Sequence, residues 1–164
     1  VLGFASTGLH TNGYSLARKA LLDAGPFSVD STPGELGGAS VGEALLAVHR
    51  SYLPAFEALS AGGAGIKAMA HLTGGGFIDN IPRVLPEGCG VRVDRSRWTV
   101  PPIFRLIQKL GGVDEQEMHR AFNMGVGYVF ILSPEDAERA IGIAPTHLIG
   151  EIGEIVSGEG VLLI

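Results

Sequence analysis

Apolar positions change their spacing several times along the chain, and each change marks a predicted element. The apolar run at residues 1–6 predicts a strand that stops at Ser6-Thr7-Gly8. From Tyr14, the residues Leu16, Ala17, Ala20, Leu21 and Ala24 recur at helical spacing until Gly25-Pro26. Residues 25–42 carry Gly, Pro, Ser and Asp without periodicity and predict a long mobile loop. Helical spacing resumes over 43–48 and again through Leu53, Phe56 and Leu59, until Gly62-Gly63. Ile66, Ala68, Ala70 and Leu72 alternate as in a strand, Thr73-Gly74-Gly75-Gly76 follows, and a short helix limited by Pro82 comes next. Val91 and Val93 predict a strand, Pro101-Pro102 opens a helix, and Asp114 caps another that reaches Phe122. A strand over 127–132, a helix opened by Ser133-Pro134, and strands over 147–152 and 160–164 complete the pattern. Helices and strands alternate throughout, but the last two strands lie close enough to pair as a hairpin. The pattern therefore predicts an α/β (α+β) fold with a mixed sheet covered by helices.

Composition narrows the class. Of 164 residues 25 are Gly, yet 46% are apolar and 18% charged, which excludes disorder and collagen. The length fits a single domain with a sizeable core. No stretch approaches the ~20 apolar residues a membrane span requires, and no basic segment precedes an apolar one at the amino end. A net charge of −5 without a Lys or Arg cluster leaves no footprint for a phosphate backbone, so neither nucleic acid nor membrane is expected as a partner. Cys89 stands alone, which removes disulfide frameworks and Cys-based metal sites and makes a cytoplasmic protein the expectation. Between Gly88 and Gly90 it reads as a small buried residue. The chain opens Val1-Leu2-Gly3-Phe4 without Met, as expected of a piece of something longer.

Chemistry concentrates at the glycine-bearing corners. Ser6-Thr7-Gly8-Leu9-His10-Thr11-Asn12-Gly13 joins a strand to a helix, where free N–H groups favour an anion and glycine permits close approach. The alternative is an ordinary helix capped by Asn12 or Thr11, with His10 on the surface. His71-Leu72-Thr73-Gly74-Gly75-Gly76 repeats the arrangement. Three consecutive glycines point to ligand approach, the alternative being a tight crossing of two backbones. Asn123-Met124-Gly125-Val126-Gly127 forms a third corner, which alone reads as a bulge or turn. His49-Arg50 follows the helix over 43–48, and Arg50 could pair bidentately with phosphate or carboxylate, although an exposed helix-end cation is the usual role for such residues; Asn80 and Arg83 are read with the same reserve. His119, among Glu115, Glu117 and Arg120, is expected to face solvent. The string Gly38-Ala39-Ser40-Val41-Gly42 matches a nucleophile elbow but follows a loop rather than a strand, so it is read as coincidence. No Walker lysine motif, paired-His helix or Asp-rich cluster occurs, and no metal ligands are assigned.

As an ordered set, residues 6–16, 71–76, 80–86 (Asn-Ile-Pro-Arg-Val-Leu-Pro) and 122–127 resemble the carboxy-terminal half of the phosphoribosylformylglycinamidine cyclo-ligase family, also called aminoimidazole ribonucleotide synthetase. The resemblance runs over nearly the whole chain. It implies a three-layer α/β/α domain spanning 1–164, with an amino-terminal ATP-binding and dimerisation domain lying outside it. It also implies a ligase of purine biosynthesis that uses ATP with Mg2+ and acts on formylglycinamidine ribonucleotide as a homodimer. Carried over, His71 and His10 are the candidates for proton handling or oxyanion stabilisation. Ser6, Thr7, Gly8, Thr11, Asn12, Gly13, Thr73, Gly74, Gly75, Gly76, Asn80, Arg50, Asn123 and Gly125 are the candidates for substrate and phosphate binding. The chain has Val48 where Pro is commoner in the family, which bears on the placing of His49 and Arg50. A non-catalytic phosphate-binding module of the same fold, and a related amide synthetase using ATP, are the alternatives.

Overall fold

Alternation places successive strand residues on opposite faces of a sheet, and β4 (Val126–Leu132) uses both faces. Val129 and Ile131 enter one hydrophobic cluster and Phe130 the other. The computed structural model, which describes residues 1–143 and 146–164, arranges two sheets around this requirement. In the larger sheet the order is β2 (Ile66–His71), β4, β1 (Leu2–Ala5), β5 (Leu148–Glu151), every pair antiparallel. In the smaller, β3 (Cys89–Val93) lies between β6 (Gly153–Ser157), antiparallel to it, and β7 (Val161–Leu163), parallel to it.

On one face of the large sheet, α3 (Leu53–Ala61) and α7 (Pro134–Ile143) bring Ala55, Leu59, Ala137 and Ala140 onto Leu2, Phe4 and Phe130. The Phe4 and Phe130 rings meet edge to face at 5.1 Å, an arrangement that adds about 1 kcal/mol to their burial. The other face is covered by α1 (Tyr14–Arg18) with the wide turn Lys19–Asp23 that extends it, α2 (Val41–Leu45), α4 (Gly76–Asn80), α5 (Pro102–Gly111) and α6 (Glu115–Ala121). Helix α5 buries Ile103, Phe104, Leu106 and Ile107 while Arg105 and Lys109 stay outside, as its spacing requires. The result is the layered mixed α/β architecture that the periodicity and the resemblance led us to expect. Among the described residues, no helix is long and apolar enough to cross a membrane.

Three local expectations are corrected. The last strands form no hairpin: the segment 147–152 supplies β5 of the large sheet, and 160–164 supplies β7 of the small one. The strand between them, β6, was not anticipated. Residues 25–42 are not an unanchored loop. Phe27 N–H donates to Leu21, Val41 N–H to Ser31 and Gly42 N–H to Val29, and Glu43 and Ser40 form a reciprocal capping box at the start of α2. Ser40 is thereby occupied as a helix cap. The third correction is Cys89, which is half-buried at the start of β3 instead of buried.

Gly76 lies at φ 52°, and a Cβ there would meet the carbonyl oxygens of His119 and Phe122 at the end of α6. The tight crossing of backbones is therefore the reason for this glycine. Gly76→Ala should lower stability by about 2–4 kcal/mol in urea unfolding, through left-handed strain and overpacking. Gly34→Ala, with open space around its Cβ, should stay within about 0.5 kcal/mol of the parent.

Candidate active site

The three glycine-bearing corners converge. Asn123, fully buried after α6, donates from Nδ2 to the Gly8 carbonyl at 2.8 Å. Its Oδ1 accepts from the Ser6 hydroxyl at 2.9 Å and the Gly125 N–H at 2.8 Å. The Ser6 N–H returns a bond to the Gly125 carbonyl. Asn12 then links the first corner to the second, its Oδ1 accepting from Gly74 N–H at 2.9 Å and its Nδ2 donating to the His10 carbonyl at 3.2 Å. Asn12 therefore does not cap α1, whose first cap position is Gly13 in the left-handed region. Asn80, also buried, folds the second corner from within: Nδ2 donates to the carbonyls of Gly74 and Gly76, and Oδ1 accepts from the Thr73 hydroxyl. All three asparagines hold the loops in place through these bonds.

Packing explains several of the glycines without a ligand. A Cβ on Gly13 would enter the Phe122 ring, one on Gly125 would approach Pro101, and one on Gly75 would meet Asp79. Gly8 and Gly74 are different: Gly8 would make only ordinary contacts at 3.6 Å, its φ of 147° rather than packing favouring glycine, and Gly74 meets only Asn12 Oδ1, at 3.4 Å. Thr11 is exposed. His10 and Thr11 both hold positive φ, 58° and 70°, conformations unfavourable for side chains of this kind and retained only where surrounding bonds enforce them.

His10 is buried, contrary to a surface reading. Its Nε2 accepts from the Thr7 N–H at 3.0 Å, while the Thr7 hydroxyl donates to the Val48 carbonyl at 2.6 Å. The ring proton must then sit on Nδ1, which is buried without a partner. Burial, followed by the neighbouring His49, His71 and Arg50, pushes the pKa of His10 down to about 4, so the ring is neutral at physiological pH. His49 stacks on it with ring centres 4.1 Å apart and planes 16° apart. The Nε2 of His49 lies 3.1 Å from Nε2 of His71, which burial and His49 likewise hold below the ordinary histidine value. His71 in turn stacks against Tyr128.

His49 and His71 open onto a cavity of about 440 Å3, also lined by Arg50, Tyr52, Phe56 and Tyr128, with His10 enclosed behind His49. Arg50 Nη1 and the Tyr52 hydroxyl both donate to the Ala5 carbonyl, at 2.7 and 3.1 Å, anchoring this wall to the end of β1. Gly127 makes room: a Cβ there would collide with the Tyr52 hydroxyl and reach the His10 ring. His49, Tyr52 and Tyr128 line this cavity and Gly127 gives it room, and sequence reasoning did not single them out as site candidates. His49 and Arg50 fall in the irregular link between α2 and α3, where no periodicity reports direction, so His49 read as a helix-end cation. His119 is a further correction. It is buried on α6, with Nδ1 donating to the Glu115 carbonyl at 2.8 Å, because its face of the helix packs beside Phe77.

The family described as AIR synthase related protein, C-terminal domain, has a model that matches residues 1–164, and the chain belongs to that family. Its relatives include proteins named phosphoribosylformylglycinamidine cyclo-ligase. That of Thermoanaerobacter sp. (strain X514) is 45% identical over 168 residues, covering 100% of this chain and 48% of the relative. That of Bifidobacterium longum subsp. infantis is 38% identical, covering 99% and 48%. The chloroplastic protein of Arabidopsis thaliana is 40% identical, covering 98% and 41%. The chain thus spans about half the length of the curated relatives it matches.

The buried neutral histidine ties stability to pH. In the unfolded chain His10 titrates near 6.5 and in the folded one near 4, so between these values only the unfolded state binds the proton. The stabilisation is complete above about pH 6.5 and is lost as pH falls toward 4, by up to roughly 3 kcal/mol for this group. Urea unfolding at pH 7.5, 6, 5 and 4 should follow that decline. His10→Gln should make the decline shallower between pH 6.5 and 5, the remainder belonging to His71 and His119, which burial also holds below the ordinary histidine value.

Proposed function

We propose that the chain is the substrate-side, carboxy-terminal part of an ATP-dependent cyclo-ligase that converts formylglycinamidine ribonucleotide to aminoimidazole ribonucleotide in purine biosynthesis. One observation carries the reading: in a chain of this family, His10 and His71, from loops far apart in sequence, converge through His49 beside a single cavity. An amide oxygen is a poor leaving group. Transfer of a phosphoryl group from ATP makes it a phosphate, and attack by the internal amine then closes the ring, expels the phosphate and releases a proton.

Each element has a part in this reading. Loops 6–13 and 73–76 hold the ribose phosphate or the transferred phosphate, with glycine at positions 8 and 74 permitting close approach of an anion and with Arg50 on the cavity wall. A ring that titrates near 4 is a weak proton acceptor at neutral pH, so in this reading His10, enclosed behind His49, supports the site as a neutral ring rather than by taking up a proton. His71 is the group for proton handling.

Magnesium requires hard oxygen ligands in octahedral array. The only grouping of three potential metal ligands among the described residues is His10, His49 and His71, all nitrogen donors. The nearly parallel rings of His10 and His49 also cannot aim their in-plane lone pairs at one ion. These residues do not fit Mg2+. In this reading ATP and Mg2+ are bound by the remainder of the longer family chain, which also carries the homodimer contact, and the enzyme works in the cytoplasm.

The test is reconstitution. The chain alone should not turn over formylglycinamidine ribonucleotide with ATP, and mixing with the amino-terminal half of a relative should restore ring closure. His71→Ala and His10→Ala should lower that restored rate by about 100-fold or more while the melting temperature shows that the fold persists. A flat calorimetric titration of the reconstituted pair with formylglycinamidine ribonucleotide would sink the proposal.

A further inference from the structure

Two neutral imidazoles whose Nε2 atoms lie 3.1 Å apart can bond in only one way: one ring carries its proton on Nε2 and the other on Nδ1. Whenever both rings are unprotonated, His49 and His71 therefore hold opposite tautomers. His10 does not compete for this bond, because its own Nε2 is taken by Thr7 N–H. Both rings are also fixed in plane, His49 by stacking on His10 and His71 by stacking on Tyr128, with ring centres 4.1 and 5.7 Å apart. The nitrogen of His71 left for a ligand is Nδ1. It offers an N–H if His49 donates across the 3.1 Å contact, and a bare lone pair if His49 accepts. Phosphoryl oxygens need donors; a lone pair would repel them.

We propose that His49 is a positioning residue that donates from Nε2 to Nε2 of His71, holding His71 as the Nδ1–H tautomer so that the ring offers a hydrogen-bond donor to a phosphorylated ligand. The direction of donation rests on the phosphate reading above. The opposition of the two tautomers rests on the contact alone. His49 thereby sets which chemistry His71 performs in the unprotonated site without touching the ligand itself.

Nitrogen-15 imidazole spectra of the 164-residue chain at pH 8 test this directly. His71 should show a protonated Nδ1 and a bare Nε2, and His49 the reverse. His49→Phe keeps a ring against His10 but removes the donor, and should return His71 to a mixture dominated by Nε2–H. Far-ultraviolet circular dichroism reports folding, and if the Phe variant fails to fold, the parent spectrum still decides. A His71 found as Nε2–H in the parent, or one whose tautomer is unmoved in a folded His49→Phe protein, overturns the proposal. Inorganic phosphate should shift the His71 Nδ1–H resonance and bind about tenfold more weakly to the variant, the loss of one hydrogen bond. If phosphate leaves every imidazole signal of the parent unmoved, the phosphate reading fails while the tautomer result stands or falls by itself.

Discussion

The site depends above all on the side chain of Asn123. A buried amide left unpaired would cost several kcal/mol; here it is satisfied by Gly8, Ser6 and Gly125 together. That set of bonds joins the exit of β1 to the entry of β4. These strands are already neighbours in the large sheet, so the amide extends the pairing beyond the last ladder bond and into the loops. The strained backbone at His10 and Thr11 persists because its surroundings are held in this way. Asn12 carries the constraint onward to Gly74, and Asn80 completes it inside the second corner. Three asparagines thus convert two flexible glycine-bearing loops into one rigid wall.

What the wall presents is electrically unusual. Three imidazoles and Arg50 lie together; burial, then His49, His71 and Arg50, lower His10, and burial, then His49, lower His71, with no carboxylate among the causes. Protonation of His10 and of His71 is opposed, so these two rings are disposed to act through tautomers and hydrogen bonds more than through charge. Such an arrangement accepts an anion without first having to break an internal ion pair. It also explains why the cluster is unsuited to Mg2+, whose chemistry belongs in our reading to another part of the longer family chain.

Much of the fold was legible in the sequence because it depends on local periodicity. The helix begun by Pro101-Pro102, the cap at Asp114 and the strand ending at Leu132 all stand where spacing and capping chemistry put them. Strand partners were not legible. Nothing within 147–164 states that β5 pairs with β1 while β7 runs parallel to β3, because pairing is decided by distant segments. The site divides in the same way. His10 and His71 stood out at glycine-bearing corners, but the same local view misread His49, in a link without periodicity, and His119, whose burial is decided by the face α6 turns to Phe77.

The sequence by itself determined the elements, the layered class and, through an ordered set of motifs, the family. Each of those is written in neighbouring residues or in strings long enough to be specific. Tertiary structure decided what the chemistry-bearing residues do. Asn80 and Asn123 became supports, Gly13, Gly76 and Gly125 became points of close packing, and His49 became the link between two loops. The physical reason is that a hydrogen bond or a steric limit belongs to a pair of groups. Here the second member of each decisive pair lies on another element.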